Sequence, residues 1–399
     1  MDYDYSPTAL KKVVYAGTHA ASFPQGARDL HELAELDVSP ERVRRVTERI
    51  GKERVAERDA QAAAYEALPI PERRKVPADQ PAPAVACVQM DGGRLQFFDR
   101  AEPQRNEDDT FWREMKVGCL WSMTSEISAE DPCPQLPASF VDPERMRRMV
   151  REIKGFSGPD AFADDAEEER VDERAGRPQP LARSVVASRY SVETFGKLLA
   201  SEAHQRRFAG APRNAFVADG SDANWGVWRR HFSDYVPILD FIHALTYVYA
   251  AAMAGRASKE GWQAYRAWAQ WIWSGQVDRV IAALELRQQE LGVPAKETPK
   301  TAPSAIVATS LVYLRNQQSR MDYPEYRKQG LPMTSTYVES TVKQINRRMK
   351  GTEKFWSHGV EPMLTLVADH LSDTPTLARY WRNRPQHLIG CRDHQSHAA

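Results

Sequence analysis

The chain predicts an α/β fold: a mixed sheet with helices packed on it, a late run of helices, and a small helical region in front. Three observations predict this. Short apolar runs of strand length recur between residues 84 and 241, and several end in aspartate. Segments of helical period separate the later runs. Residues 256–292 then read as helix throughout, with Trp262, Trp268, Trp271 and Trp273 among them and no strand-like run.

In chain order, residues 29–50, DLHELAELDVSPERVRRVTERI, read as two helices around a short turn. Leu30, Leu33 and Ala34 stripe the first. Ser39 is placed to cap the second, Pro40 suits its first position, and Val43, Val46 and Ile50 recur at helical spacing. Arg42, Arg45 and Arg49 share the other face of that helix. A helix-turn-helix would lay it in a DNA groove; a surface hairpin with a solvated arginine face is the other reading. The Pro-rich stretch 67–83 marks a linker after a helical region at 1–66.

Three strand-like runs follow, AVACVQMD (84–91), GRLQFFD (93–99) and KVGCLWSMT (116–124), and Gly92-Gly93 suggests a tight hairpin between the first two. Residues 158–180 are acidic, aromatic-poor and flanked by Pro and Gly, the composition of a disordered loop. A helix is expected over 191–208, a strand over 214–220, a helix over 224–232 and a strand over 236–241. The first part of the sheet unit thus spans 84–250, a helical insertion 251–328, and closing helices 329–399. A Pro/Thr-rich break at 292–304 divides the insertion.

Composition narrows the partners less than it narrows the class. Hydrophobic residues make up 42% and charged residues 27%, ordinary for a globular protein. Lys+Arg and Asp+Glu both number 54, so net charge gives no hint of nucleic acid. Cys87, Cys119, Cys133 and Cys391 form no metal-ligand spacing, and free thiols in a reducing compartment are expected. The run 235–255 approaches membrane-spanning length, but Pro237, Asp240 and His243 interrupt its first half, so a buried strand and helix are expected instead. With no signal-like start, the expected location is cytoplasmic, without membrane association.

Three carboxylates carry the chemistry. Asp91 and Asp219 each end an apolar run and precede glycine, as VQMDGG and VADGS. Such an acid sits at a sheet rim, where α/β folds build sites, although Asp-Gly is also a common turn pair. The third is in GLPMTSTYVESTVKQINRRMK (330–350), a loop that becomes a helix. At about 100° per residue, Val338, Val342, Ile345 and Met349 share one sector, while Lys343, Arg347 and Lys350 lie on the side of Glu339. Glu339 is either an acid favouring the helix dipole or a metal ligand beside cations that could hold phosphates.

VQMDGG, then FVADGSDANW with ILDFIHAL, then GLPMTSTYVESTVKQINRRMKGTEKFW resemble the three blocks of the ISKra-type insertion-sequence transposases. The resemblance covers roughly 85–360 and extends more loosely to the helix-turn-helix. It implies a DDE transposase with a ribonuclease-H-like mixed sheet. Its catalytic acids would be Asp91, Asp219 and Glu339, jointly holding two Mg²⁺ or Mn²⁺ ions. Asp240 and His243 match an Asp-x-x-His pair in such transposases, with His243 either structural or catalytic. Lys343, Arg347, Arg348 and Lys350 would contact the DNA backbone, and Arg42, Arg45 and Arg49 the element's ends. The implied partners are terminal-repeat and target DNA, with at least a dimer to pair two ends. The Cys-paired segment that relatives often carry ahead of the helix-turn-helix has no counterpart in this sequence. Two other readings compete: a catalytically inactive or repurposed DNA-binding remnant, and a different metal-dependent nuclease on the same fold.

Overall fold

The computed structural model describes residues 5–75, 81–98, 111–153, 178–351, 354, 356 and 358–384. Three helices open the chain: α1 (Pro7–His19), α2 (Phe23–Ala34) and α3 (Pro40–Ala67). Ser6, Ser22 and Ser39 cap them, each accepting a backbone N–H three residues on, and proline occupies the first turn of all three. The α2–α3 pair matches the expected hairpin, but α3 runs 28 residues rather than ending near Ile50. Gly51 does not stop it, because that glycine is a packing point: a Cβ there would lie 2.6 Å from Pro362 Cβ. The short helix α4 (Ile70–Arg73) occupies part of the expected linker, of which residues 76–80 lie outside the described ones.

The sheet starts with β1 (Val85–Gln96) and β2 (Trp112–Thr124). After α5 (Pro143–Ile153) come β3 (Gln179–Ser188), α6 (Val192–Gln205), β4 (Arg213–Ala218), α7 (Asp222–His231), β5 (Val236–Leu239) and α8 (Phe241–Met253). The strand order is β3-β2-β1-β4-β5, with β1–β2 and β2–β3 antiparallel and β1–β4 and β4–β5 parallel. The chain is therefore α/β with a five-stranded mixed open sheet among its described residues.

Two expectations about the strands are corrected. Gly92-Gly93 makes no hairpin; β1 passes straight through, with Gly92 opposite Lys116 and Gly93 opposite Met115. Neither glycine takes the positive φ that a tight hairpin turn would use. Gly93 instead admits a neighbour, since a Cβ there would come within 2.5 Å of Met115 Cε. The run at 93–99 is thus the continuation of the first strand. The edge strand β3 matches no apolar run in the sequence, because only its last five residues form a continuous buried run and two of them are Ser184 and Ser188. Of the acidic segment 158–180, residues 158–177 lie outside the described residues, and β3 starts at Gln179.

Beyond α8 come α9 (Ser258–Trp273), α10 (Val277–Leu291), α11 (Pro303–Gln317) and α12 (Tyr323–Lys328), the expected helical insertion. Its tryptophans serve the core. Trp268 and Trp273 are buried, and Trp273 Nε1 donates to the Cys133 carbonyl at 2.7 Å. Arg327 stacks on Trp273 at 4.0 Å and pairs with Asp131, which ties the insertion to the segment after β2.

The chain closes with α13 (Thr336–Met349), α14 (Val360–Leu371) and α15 (Thr376–Asn383). Leu10, Val13, Leu30, Val43, Val46 and Ile50 share a core with Leu366 of α14 and Tyr380 of α15. The first helices therefore pack onto the last ones instead of standing apart. No helix among the described residues is long and apolar enough to cross a membrane.

Candidate metal centre at the strand ends

Register brings the acids together. The last parallel pairs are Met90 with Ala218 and Ala218 with Leu239. One residue further on, the same three strands reach Asp91, Asp219 and Asp240. Neighbouring strands lie about 4.8 Å apart, so the three aspartates form a row just past the last parallel pairs. Asp219 and Asp240 follow the ends of β4 and β5, whereas Asp91, expected to end its strand, lies inside β1, which continues against β2. Ligand sites in open α/β sheets collect at such ends.

Helix α13 closes over this row. Gln89, two residues before Asp91 and on its face of β1, donates from Nε2 to the Thr334 carbonyl at 2.9 Å and accepts the Val338 N–H at 3.2 Å. The Phe241 N–H donates to the Met333 carbonyl at 3.0 Å. These bonds pin the loop before α13 between β1 and the start of α8, and Glu339 follows in the first turn.

Each acid has defined partners. Asp91 Oδ1 accepts the Gly92 N–H at 2.7 Å. Asp219 Oδ1 accepts Asn224 Nδ2 at 2.8 Å and the Ser221 N–H at 2.9 Å, while the Asp219 carbonyl accepts the Tyr313 hydroxyl at 2.7 Å. Gly220, at φ +92°, makes the turn between these partners, and its carbonyl accepts Gln317 Nε2 at 3.1 Å. Asp240 is fully buried. It caps α8 by accepting the His243 N–H at 2.9 Å, and it accepts both the backbone N–H and the hydroxyl of Ser335. Ser335 Oγ also lies 3.2 Å from Glu339 Oε1. One hydroxyl proton serves one of these carboxylates at a time, so Ser335 links the two acids.

His243 stands between them. Its Nδ1 is 3.5 Å from Asp240 Oδ1 and 3.9 Å from Glu339 Oε1. These are ion-pair distances, at or beyond the limit of a good hydrogen bond. Asp240, His243 and Glu339 each offer a donor atom within 4.8 Å of the others, a set that could hold a metal ion.

The electrostatics are those of an acidic cluster in want of positive charge. Burial raises the Asp91 carboxyl to about 6; the charges of Asp219 and Asp240 add to this, and the Gly92 N–H opposes it. Burial and then the Asp240 charge raise Glu339 to about 7. Burial also pushes Asp240 upward, but His243 and Ser335 hold it below the usual range. Burial disfavours a charged His243, yet Asp240, then Glu339 and Asp219, raise it to about 9. A divalent ion would reverse the repulsion felt by Asp91 and Glu339. Among the described residues, Asp91 and Asp219 stand outside the set whose donor atoms come close enough to share one ion.

The basic residues divide. Lys343 and Arg347 are exposed on α13, and Lys350 is half-buried with its ammonium 5.7 Å from the Trp112 ring. Arg348 is corrected: it is buried, donates from Nε and Nη2 to the Gly17 carbonyl at 3.1 and 2.9 Å, and stacks on Phe23 and Trp356. A guanidinium held this way is a clamp between α13 and α1, turned away from any DNA backbone. On α3, Arg42 is exposed over the Tyr5 ring, Arg45 pairs with Glu41, and Arg49 is half-buried.

Sequence reasoning missed Gln89, Asn224, Tyr313 and Ser335 as supporting residues. Asn224, five residues past Asp219 on the following helix, had the clearest signal. A scan against family models and a comparison with curated proteins found no match to this chain.

Proposed function

We propose that this protein is a DDE transposase of an insertion sequence, with a ribonuclease-H-like catalytic unit, acting on DNA phosphodiesters. One observation carries the reading: Asp91 and Asp219 follow the last parallel pair of β1 and β4, the Asp219 charge acts on Asp91, and the Asp91 charge acts on Glu339 of α13. The strand order, three antiparallel strands continued by two parallel ones, supports the same fold family.

Asp91, Asp219 and Glu339 would hold two Mg²⁺ or Mn²⁺ ions. Such ions activate an attacking hydroxyl and stabilise the leaving oxygen of an in-line displacement. The chain's own contribution is placement. Asn224 and the Ser221 N–H fix the Asp219 carboxylate, and Ser335 and the Gln89–Val338 bond fix the turn that carries Glu339. In the first step water attacks phosphorus and the bond to the 3′ oxygen breaks at the element's end. The freed 3′-hydroxyl then attacks a target phosphate and releases its 3′ oxygen. Lys343, Arg347 and Lys350 would hold the DNA backbone, and Arg42 and Arg45 would face element ends in a complex of at least two copies.

The test uses labelled duplexes from both DNA flanks of the gene with Mn²⁺, comparing wild type with Glu339→Gln. Cut and joined products from wild type, and none from a variant that still binds, are expected. Binding without cutting by either protein overturns the reading in favour of a repurposed DNA-binding remnant. Cutting without joining favours a different nuclease on this fold.

A further inference from the structure

We propose that Asp240, His243 and Glu339 form a nitrogen-containing site for a divalent transition ion of the Mn²⁺ to Zn²⁺ class, distinct from the all-oxygen position at Asp91 and Asp219. It deepens the metal-dependent reading above and rests on it only for the second, all-oxygen position.

Two independent observations support it. The donors are nearly at coordination spacing. Ligands about 2.1 Å from one ion lie about 3.0 Å apart at a right angle and about 3.4 Å apart at the tetrahedral angle. His243 Nδ1 is 3.5 Å from Asp240 Oδ1 and 3.9 Å from Glu339 Oε1, so shifts of roughly half an ångström bring the nitrogen to coordination spacing from each carboxylate, and all three donors lie within 4.8 Å of one another. The second observation is the imidazole itself. His243 Nδ1 is buried without a hydrogen-bond partner, and it points into the space between two carboxylates. A divalent ion in that space would displace the Nδ1 proton and supply the positive charge that the two carboxylates now draw onto the imidazole.

The residues of the set are held in place. Asp240 is fully buried and tied to Ser335 and the His243 N–H, which fixes the start of α8 and the imidazole it carries. Imidazole favours later transition ions, whereas Mg²⁺ takes oxygen donors. Glu339, partly exposed where Asp240 is closed, is shared between the two positions: it stands 3.9 Å from His243 Nδ1, and the Asp91 charge acts on it. The two ions are therefore inequivalent, one set by oxygen donors alone and one by an imidazole.

The probe is one equivalent of Mn²⁺ added to the full-length protein in excess Mg²⁺, read by pulsed electron paramagnetic resonance for ¹⁴N coupling. Wild type and Asp91→Asn should show imidazole nitrogen at Mn²⁺. His243→Gln should lose it and bind Mn²⁺ at least about tenfold more weakly. Unchanged thermal melting of metal-free His243→Gln certifies its fold, and His243→Asn replaces it if that melting drops. Wild-type Mn²⁺ without ¹⁴N coupling, or coupling that persists in the His243 variant, overturns the inference. DNA joining is assayed separately: joining without nitrogen coupling sinks only this site, and coupling without joining sinks only the transposase reading.

Discussion

At the residue scale the acids differ in what their loss should cost. Glu339→Gln keeps the size of the side chain, so its effect should be chemical. Strand joining should fall about a thousandfold or more while DNA binding persists, measured as product per bound duplex. Ser335 acts on the site from one shell further out. Its hydroxyl and backbone N–H hold Asp240, and the hydroxyl also reaches Glu339. Ser335→Ala leaves a buried carboxylate short of one donor. Stability should drop by about 1–3 kcal/mol, visible in urea denaturation of the metal-free protein.

At the element scale α13 is a lever fixed at both ends. Gln89 and Ser335 hold its first turn, and Arg348 bolts its last turn to Gly17 of α1. Residues of one charge therefore have opposite fates along one helix. Arg347→Gln should weaken DNA binding alike across sequences and reduce the salt slope by about one, read from affinity at several salt concentrations. Arg348→Met should leave that slope unchanged and lower stability by about 1–3 kcal/mol, because the Gly17 carbonyl loses a charged donor. Part of this split was legible. Arg348 lies about 180° from Glu339 on the helix, next to the sector of Ile345, whereas Arg347 lies on the acid's own side. Its partner, a carbonyl 331 residues away, was not.

At the scale of the whole molecule, the first and last helices form one body, and a histidine pair sits in the joint. His19 of α1 and His370 of α14 meet edge to face at 4.5 Å, with Tyr15 stacked on His19. Burial and then the neighbouring His19 push His370 down to about 3. The folded chain thus refuses a proton that the unfolded chain accepts near pH 6.5, so this joint loses stability as pH falls through the interval between about 6.5 and 3. Wild type should lose about 2 kcal/mol more than His370→Gln between pH 7 and pH 5, measured by denaturant midpoints. Equal losses would remove His370 from the account.

Much of the sheet and two of the acids could be read without coordinates, for a local reason. A short apolar run that ends in aspartate states both a buried strand and the rim where it stops, and 214–220 and 236–241 became β4 and β5 on that grammar. The third parallel strand repeats it as VPILD, which placed Asp240 in the same row. Glu339 could be assigned to the first turn of a helix from periodicity alone. Long-range facts were out of reach. Gly92-Gly93 has a turn's composition, but pairing with β2 holds it extended, and pairing energy comes from a strand beyond the local window. Helix α3 continues past Ile50 because Pro362 fills the space beside Gly51. Local pattern alone was enough to name the candidate ligands and to end β4 and β5, but not β1, which runs on past Asp91 to Gln96. Only the tertiary structure decided which ligands meet, because register and helix packing, which act between distant segments, set those distances.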